Sequence, residues 1–124
     1  MARLLLVDDD TAGLELRKLI LEREGHQVSA AADVVSARSL FSETSPDSVV
    51  LDLRLPETDD GLALIREFRA AAPGLRIIVL SGWTPDLDGK PEARMVDELL
   101  AKPVRSARLV SAVTAGPTGS PSQG

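Results

Sequence analysis

Short apolar runs alternate with longer mixed stretches along the chain, and the alternation predicts a strand followed by a helix five times. Residues 3–7, 48–51 and 76–80 are mostly apolar runs, which is typical of strands covered on both faces of a sheet. Residues 27–31 and 99–101 predict two weaker strands. Because parallel strands need right-handed helical crossovers, the pattern predicts an α/β fold with a doubly wound, five-stranded parallel sheet and helices on both faces.

The first mixed stretch predicts a helix over 11–24, with Asp10 or Thr11 as its N-cap and Gly25 as its stop. The mixture of arginine and glutamate over 15–24 indicates a solvated helix face. Three apolar residues have the i, i+3, i+4 spacing of one face of this helix: Leu16, Leu19 and Ile20.

Further helices are predicted at four places in the chain: 34–43, 61–72, 91–97 and 105–114. Asp59 and Asp60 are expected to cap the helix that begins near Gly61. In that helix, three side chains are expected to face inward: Leu64, Ile65 and Phe68. Residues 84–91 are rich in turn-forming residues. Residues 1–114 therefore predict one domain, and the linker-like composition of 115–124 predicts a disordered tail or linker.

Composition narrows the function classes. The chain has 124 residues, of which 44% are hydrophobic, and it has no cysteine, so disulfides and thiolate metal sites are excluded. The net charge of −5, with two phenylalanines and one tryptophan, argues against nucleic-acid binding. We find neither a signal peptide nor an apolar run long enough to span a membrane, so we expect a cytoplasmic protein without membrane association.

Polar residues follow or end four of the predicted strands: Asp8 and Asp9, Asp52, Ser81, and Lys102. The carboxyl ends of parallel strands meet at one crevice, where such sheets bind ligands. Three carboxylates gathered there repel one another by roughly 4 kcal/mol per pair near 4 Å at an effective dielectric of about 20. Mg²⁺, a hard cation that prefers oxygen ligands, would relieve this repulsion.

The same residues suit phosphoryl transfer. One carboxylate can act as the nucleophile while the others hold the metal, and a hydroxyl and an ammonium can bind the phosphoryl oxygens. An Asp after a single strand is more often a helix cap or a turn residue. Four strand ends with chemically matched residues make a common site the better interpretation.

These motifs resemble the receiver domain of response regulators in two-component signal transduction systems. The resemblance covers about residues 3–114 and implies a flavodoxin-like fold with strand order 2-1-3-4-5 and a cis peptide between Lys102 and Pro103. Four segments carry it, in the family's order: Leu4–Asp10, Val50–Pro56, Leu80–Gly82 and Ala101–Pro103.

The resemblance implies that Asp52 accepts a phosphoryl group from a histidine of a partner kinase or phosphotransfer protein. It implies that Asp9 binds Mg²⁺ directly, together with Asp52, and that Asp8 binds it through water. The backbone carbonyl of Arg54 would be a further metal ligand.

Ser81 would hydrogen-bond the phosphoryl group and Lys102 would pair with it. Gly82 fits the small residue that the family keeps beside the pocket. Arg54 and Trp83 lie where the family modulates hydrolysis of the aspartyl phosphate. A shield over the phosphoryl group and a surface loop anchor both stay open for Trp83.

Three departures from the family pattern bear on output. Leu99 occupies a position where the family often has an aromatic residue that reports movement of the hydroxyl. The segment from Pro56 to Gly61 is one residue longer than the common pattern, and 84–91 is expected to shorten the fourth helix. These departures put the coupling to output in doubt, and not the chemistry at Asp52.

The leading hypothesis is a phosphorylation-dependent signalling module rather than an enzyme, which acts by conformational switching on a downstream protein or an effector domain outside this chain. One alternative is a haloacid-dehalogenase-like phosphatase with Asp8 as nucleophile and Asp10 as acid/base. Another is a pseudo-receiver that binds partners without phosphorylation. His26 is expected to have no functional role. The cognate kinase, the output target and homodimer formation stay open.

Overall fold

The computed structural model describes residues 2–55 and 57–114. It contains five strands: β1 (Arg3–Val7), β2 (Gln27–Ala31), β3 (Ser48–Asp52), β4 (Arg76–Ser81) and β5 (Glu98–Ala101). Within the described residues there are four α-helices: α1 (Thr11–Arg23), α2 (Val34–Thr44), α3 (Thr58–Ala71) and α4 (Ser106–Thr114). All strand pairs are parallel, in the order β2-β1-β3-β4-β5. The predicted fold class and strand order are confirmed.

Alternate side chains of the buried strands enter two separate apolar clusters, one on each face of the sheet. In β1, Leu5 and Val7 join the cluster under α2 and α3, whereas Leu4 and Leu6 join the cluster under α1 and α4. Phe41 of α2 stacks on Phe68 of α3 with ring centroids 4.1 Å apart, which locks the two helices together. Helices on both faces explain why these strands are apolar throughout.

Helix α1 turns a different face to the sheet from the one the sequence indicated. Asp10 is the N-cap, as predicted, and its side chain accepts a hydrogen bond from Gly13 N. Leu16 and Leu19 are each 59% exposed and Ile20 is half-buried, so most of the apolar face predicted from their spacing lies in solvent. The buried residues of α1 are instead Leu14 and Leu21.

Helix α3 begins three residues before the predicted start near Gly61. Glu57 is its N-cap, so the prediction that Asp59 and Asp60 cap the helix was wrong for Asp59, whereas Asp60 takes part as the N3 residue of a capping box. Both lie in the first turn, where Asp60 Oδ2 accepts a hydrogen bond from Glu57 N at 3.2 Å. Gly61 is a packing residue, because a Cβ there would lie 1.9 Å from the carbonyl oxygen of Leu53.

The crossover from β4 to β5 has no α-helix in the described residues, so the helix predicted over 91–97 was wrong. It has two 3-10 turns, Thr84–Leu87 and Pro91–Arg94, each with a proline in its first positions. Arg69 of α3 donates hydrogen bonds to Met95 O at 2.7 Å and to Asp97 Oδ2 at 2.9 Å. Polar contacts with α3 therefore help to hold this crossover against the domain.

The predicted tail, 115–124, lies outside the described residues, as does Pro56. Among the described helices, none combines the length and the apolar character that crossing a membrane requires.

Candidate functional site

The predicted site residues meet at the carboxyl edge of the sheet. Asp8 and Asp9 directly follow β1, Asp52 ends β3, Ser81 ends β4 and Lys102 follows β5. The strand register brings them level, since Val7 pairs with Leu51, Asp52 with Leu80, and Ser81 with Ala101. Residues that are far apart in sequence therefore share one crevice.

Three carboxylates form the acidic part of the site. Asp8, Asp9 and Asp52 each offer an oxygen, and these oxygens all lie within 4.8 Å of one another. Asp8 and Asp52 are buried, whereas Asp9 is exposed at the mouth. Carboxylate oxygens at this spacing fit the ligand preference of Mg²⁺, and the exposed Asp9 leaves an open side from which the ion can enter.

Lys102 provides a positive charge within this cluster. Its Nζ lies 3.1 Å from Asp52 Oδ2 and 3.5 Å from Asp8 Oδ2. Its backbone N–H donates to Ser81 O at 2.8 Å, and the following peptide bond to Pro103 is cis, as predicted. The lysine therefore contacts two of the three carboxylates.

The environment of Asp52 disfavours its ionised form. Burial raises the pKa of Asp52 above its ordinary value of 3.8, and the neighbouring charge of Asp8 raises it further. The hydrogen bond and charge of Lys102 lower this pKa and oppose part of the shift. A cation bound at the site would lower the pKa in the same way as Lys102.

Ser81 is buried at the end of β4, and its hydroxyl oxygen accepts a hydrogen bond from the backbone. Trp83 N donates to Ser81 Oγ at 3.0 Å, which leaves the hydroxyl proton free to be donated elsewhere. Trp83 is 61% exposed. A Cβ at Gly82 would meet no atom within 4 Å, so packing at this position does not require glycine.

Arg17 also belongs to the site, and the sequence interpretation missed it. Its guanidinium forms an ion pair with Asp8 Oδ2, the oxygen that Lys102 also contacts. The prediction that residues 15–24 are a solvated face was wrong for Arg17, whose side chain is 19% exposed. The signal was its position three residues after Leu14 and four before Leu21, on the face that α1 turns to the sheet.

Three other residues that the sequence analysis discussed lie outside the carboxylate cluster. The Arg54 guanidinium pairs with Asp86 at 3.1 Å and so links the segment after β3 to the first 3-10 turn. Leu99 is partly buried and packs against the cluster under α2 and α3. His26 is buried at the start of β2, far along the sheet from the carboxyl edge, where its Nδ1 accepts a hydrogen bond from Ala2 N at 3.1 Å.

Asp10 is occupied as a helix cap rather than as a member of the carboxylate cluster. Its Oδ1 accepts from Gly13 N at 3.4 Å, and its own N–H donates to Asp8 Oδ1 at 2.9 Å. The phosphatase alternative requires Asp10 as the acid/base. An acceptor committed to the first turn of α1 is poorly suited to that role.

Comparison with known proteins agrees with this geometry. The sequence profile of the response regulator receiver domain matches residues 4–114. The virulence transcriptional regulatory protein PhoP of Salmonella typhimurium is 40% identical over 86 residues, which is 67% of this chain and 38% of that protein. The response regulator MprA of a Mycobacterium species is 40% identical over 79 residues, 64% of this chain and 34% of that protein. The chain thus spans little more than a third of these relatives.

Solved structures have the same fold. A response regulator receiver domain protein from Clostridium thermocellum superposes with a TM-score of 0.82 at 29% identity, covering 93% of each chain. The response regulator TrrA from Thermotoga maritima, solved in complex with Mg²⁺-BeF, gives a TM-score of 0.82 at 28% identity over 93% of this chain and 98% of that one. The profile match, the sequence relatives and the strand order agree, and the chain belongs to the family of response regulator receiver domains.

Proposed function

We propose that Asp52 is a phosphoacceptor, which takes a phosphoryl group from a histidine of a partner kinase or phosphotransfer protein. One observation carries the proposal: an oxygen of Asp52 lies within 4.8 Å of oxygens of two other carboxylates, and its Oδ2 lies 3.1 Å from Lys102 Nζ. A buried carboxylate is suited to phosphoryl transfer when it lies beside a cation and beside other carboxylates that can bind a metal ion.

In the proposed reaction, a carboxylate oxygen of Asp52 attacks the phosphorus of the partner's phosphohistidine. An O–P bond forms and the P–N bond breaks. The electron pair of the P–N bond stays on the imidazole nitrogen, and the ring leaves neutral because its other nitrogen carries a proton. Lys102 and the Ser81 hydroxyl would bind the phosphoryl oxygens of the product, and their position at the same edge of the sheet as Asp52 supports this role.

Asp8, Asp9 and Asp52 would hold Mg²⁺, with the backbone carbonyl of Arg54 as a further ligand. When bound, the ion would neutralise the negative charge that develops on the phosphoryl oxygens. Asp8 already accepts hydrogen bonds on both oxygens, from Asp10 N and from Lys102, which supports contact through water for this residue. The related TrrA was solved in complex with Mg²⁺-BeF, which supports Mg²⁺ as the cation for this chain as well.

The output would be a protein–protein interaction that phosphorylation switches in the cytoplasm. Ser81 ends β4 and Lys102 directly follows β5. These two residues therefore connect the phosphorylation site to the crossover between β4 and β5. The matched part covers 38% of PhoP and 34% of MprA. This coverage is in keeping with an effector that is a downstream protein or a domain outside this chain. Phosphorylation could also act by promoting homodimer formation.

The proposal is tested by incubating the protein with acetyl phosphate and Mg²⁺ and measuring intact mass. We expect the wild type to gain one phosphoryl group, Asp52→Asn to gain none, and Asp88→Asn to behave as the wild type. Asp88 is a matched control because it is an exposed aspartate that is not one of the three clustered carboxylates. Equal phosphorylation of Asp52→Asn and the wild type would contradict the proposal.

The same preparation separates the alternatives. A pseudo-receiver would gain no phosphoryl group in any variant. A phosphatase would hydrolyse small phosphate esters in a reaction that depends on Asp8 and survives the Asp52→Asn substitution.

A further inference from the structure

We propose that Arg17 is a resident cation of the acidic site, which competes with Mg²⁺ for Asp8 and lowers the affinity of the site for the metal. This inference deepens the proposed function and rests on it. It concerns a contact that this chain makes between α1 and the carboxylate cluster.

The first support is the placement of the Arg17 side chain. Arg17 lies on the stripe of α1 that faces the sheet, between the buried Leu14 and Leu21. Its guanidinium reaches Asp8, which is only 2% exposed. Since Asp8 is buried and the Arg17 side chain is only 19% exposed, this ion pair is screened less than a surface pair.

The second support is the presence of glycine at position 13 of α1, close to the Arg17 guanidinium. Gly13 lies four residues before Arg17, and a Cβ at Gly13 would come within 3.2 Å of an Arg17 guanidinium nitrogen and 3.0 Å of Asp10 Oδ2. Glycine inside a helix is unfavourable relative to alanine. The absence of a side chain at this position leaves room for the path that Arg17 takes to Asp8.

The third support is the charge of the site. Three carboxylates face two cations, Lys102 and Arg17, so one negative charge is left uncompensated. Without Arg17 two negative charges are left, and the attraction for a divalent cation increases. Conversely, a bound divalent cation repels the guanidinium, and the Arg17–Asp8 pair and metal binding therefore oppose each other.

A positioning role makes the opposite prediction. If Arg17 only held Asp8 in the orientation that the metal requires, its removal would weaken Mg²⁺ binding. The sign of the change in affinity therefore separates competition from positioning.

The test is a Mg²⁺ titration of the full chain, followed by the fluorescence of Trp83, the only tryptophan, and by the Mg²⁺-dependent rise in melting temperature. We expect Arg17→Leu to bind Mg²⁺ about tenfold more tightly than the wild type, because the variant removes a unit charge from a weakly screened site. Arg17→Lys, which keeps the charge but loses the planar fork, should lie between the two.

Arg38→Met is the matched control, since Arg38 pairs with Glu67 on the outer surface of α2 and α3 and its loss changes the net charge equally. We expect its affinity to stay within about twofold of the wild type because surface charges are screened. Gly13→Ala is a second route, which keeps Arg17 but crowds its guanidinium, and it should also raise the affinity.

An affinity of Arg17→Leu equal to that of Arg38→Met, or weaker than that of the wild type, would overturn the inference. If Arg17→Leu does not fold, Gly13→Ala decides in the same way. Failure of every variant and of the wild type to bind Mg²⁺ would instead count against the proposed function.

Discussion

The Lys102 ammonium lies 3.1 Å from a carboxylate oxygen of Asp52, although the two residues are 50 positions apart in the chain. Lys102 also contacts Asp8, which is 94 positions away. The contact depends on β4, which lies between β3 and β5 and places their carboxyl ends at one edge. The contact between Lys102 and Asp52 therefore forms only when β3, β4 and β5 are assembled side by side.

Replacing Lys102 by methionine should slow the gain of a phosphoryl group from acetyl phosphate by about tenfold or more, because a fixed cation beside the developing phosphoryl charge is lost. The rate is measured by intact mass over time at saturating Mg²⁺. Lys90→Met, which removes an exposed lysine of the β4–β5 crossover, should leave the rate unchanged. Equal rates for the two variants would contradict the role given to Lys102.

Asp52→Asn should stabilise the metal-free protein at pH 7. Burial first, and the charge of Asp8 second, raise the pKa of Asp52 above 3.8, so the folded state holds this proton more tightly than the unfolded chain. The wild type therefore loses stability as pH rises from about 3.8 through the raised pKa, and the asparagine variant does not.

The check is urea unfolding in the presence of a chelator at several pH values. The free energy of unfolding of Asp52→Asn should exceed that of the wild type at pH 7, and the difference should shrink as pH falls towards 3.8. A wild type more stable than Asp52→Asn at pH 7 would reverse the sign and refute the prediction.

Asp9→Asn should weaken the stabilisation of the protein by Mg²⁺. At a free concentration ten times the dissociation constant, bound Mg²⁺ adds about 1.4 kcal/mol to the free energy of unfolding. Thermal melts with and without Mg²⁺ measure the effect. Asp10→Asn is the neighbouring control, because asparagine caps helices as well as aspartate does and Asp10 is already the N-cap of α1. An equal loss in both variants would argue against Asp9 as a metal ligand.

Gly61→Ala should destabilise the fold by about 1–3 kcal/mol or more, as overpacking does. The added Cβ would lie 1.9 Å from Leu53 O, a backbone atom that cannot move without disturbing the segment after β3. Gly74→Ala, where a Cβ meets nothing within 4 Å, should change stability by less than about 0.5 kcal/mol. Urea unfolding compares the two, and similar values would contradict the packing role of Gly61.

Strand positions were predictable because their apolar runs are local patterns. A general rule of parallel sheets brings together the residues that end or directly follow strands β1, β3, β4 and β5. The sequence therefore predicted a common site for four residues: Asp8, Asp52, Ser81 and Lys102. Asp10 was also predictable as the cap of α1, since capping involves neighbours only a few residues apart.

Helix faces and crossovers were less predictable. The spacing of Leu16 and Leu19 indicated an apolar face, but the sheet covers Leu14 and Leu21 instead, because the direction of α1 over the sheet decides which stripe is buried. The helix expected after Pro91 is only a 3-10 turn, since the contacts of Arg69 with Met95 and Asp97 hold this crossover in a non-helical path.

The sequence by itself determined the class of fold, the strand order implied by the resemblance, and the set of polar residues at the carboxyl edge. These follow from hydrophobic period and from residue types at strand ends, which are local properties. Only the tertiary structure decided that Arg17 enters the acidic site and that Gly61 packs on Leu53. Both contacts depend on how a helix is oriented over the sheet, and that orientation is a balance of many distant packing interactions that no short segment of sequence contains.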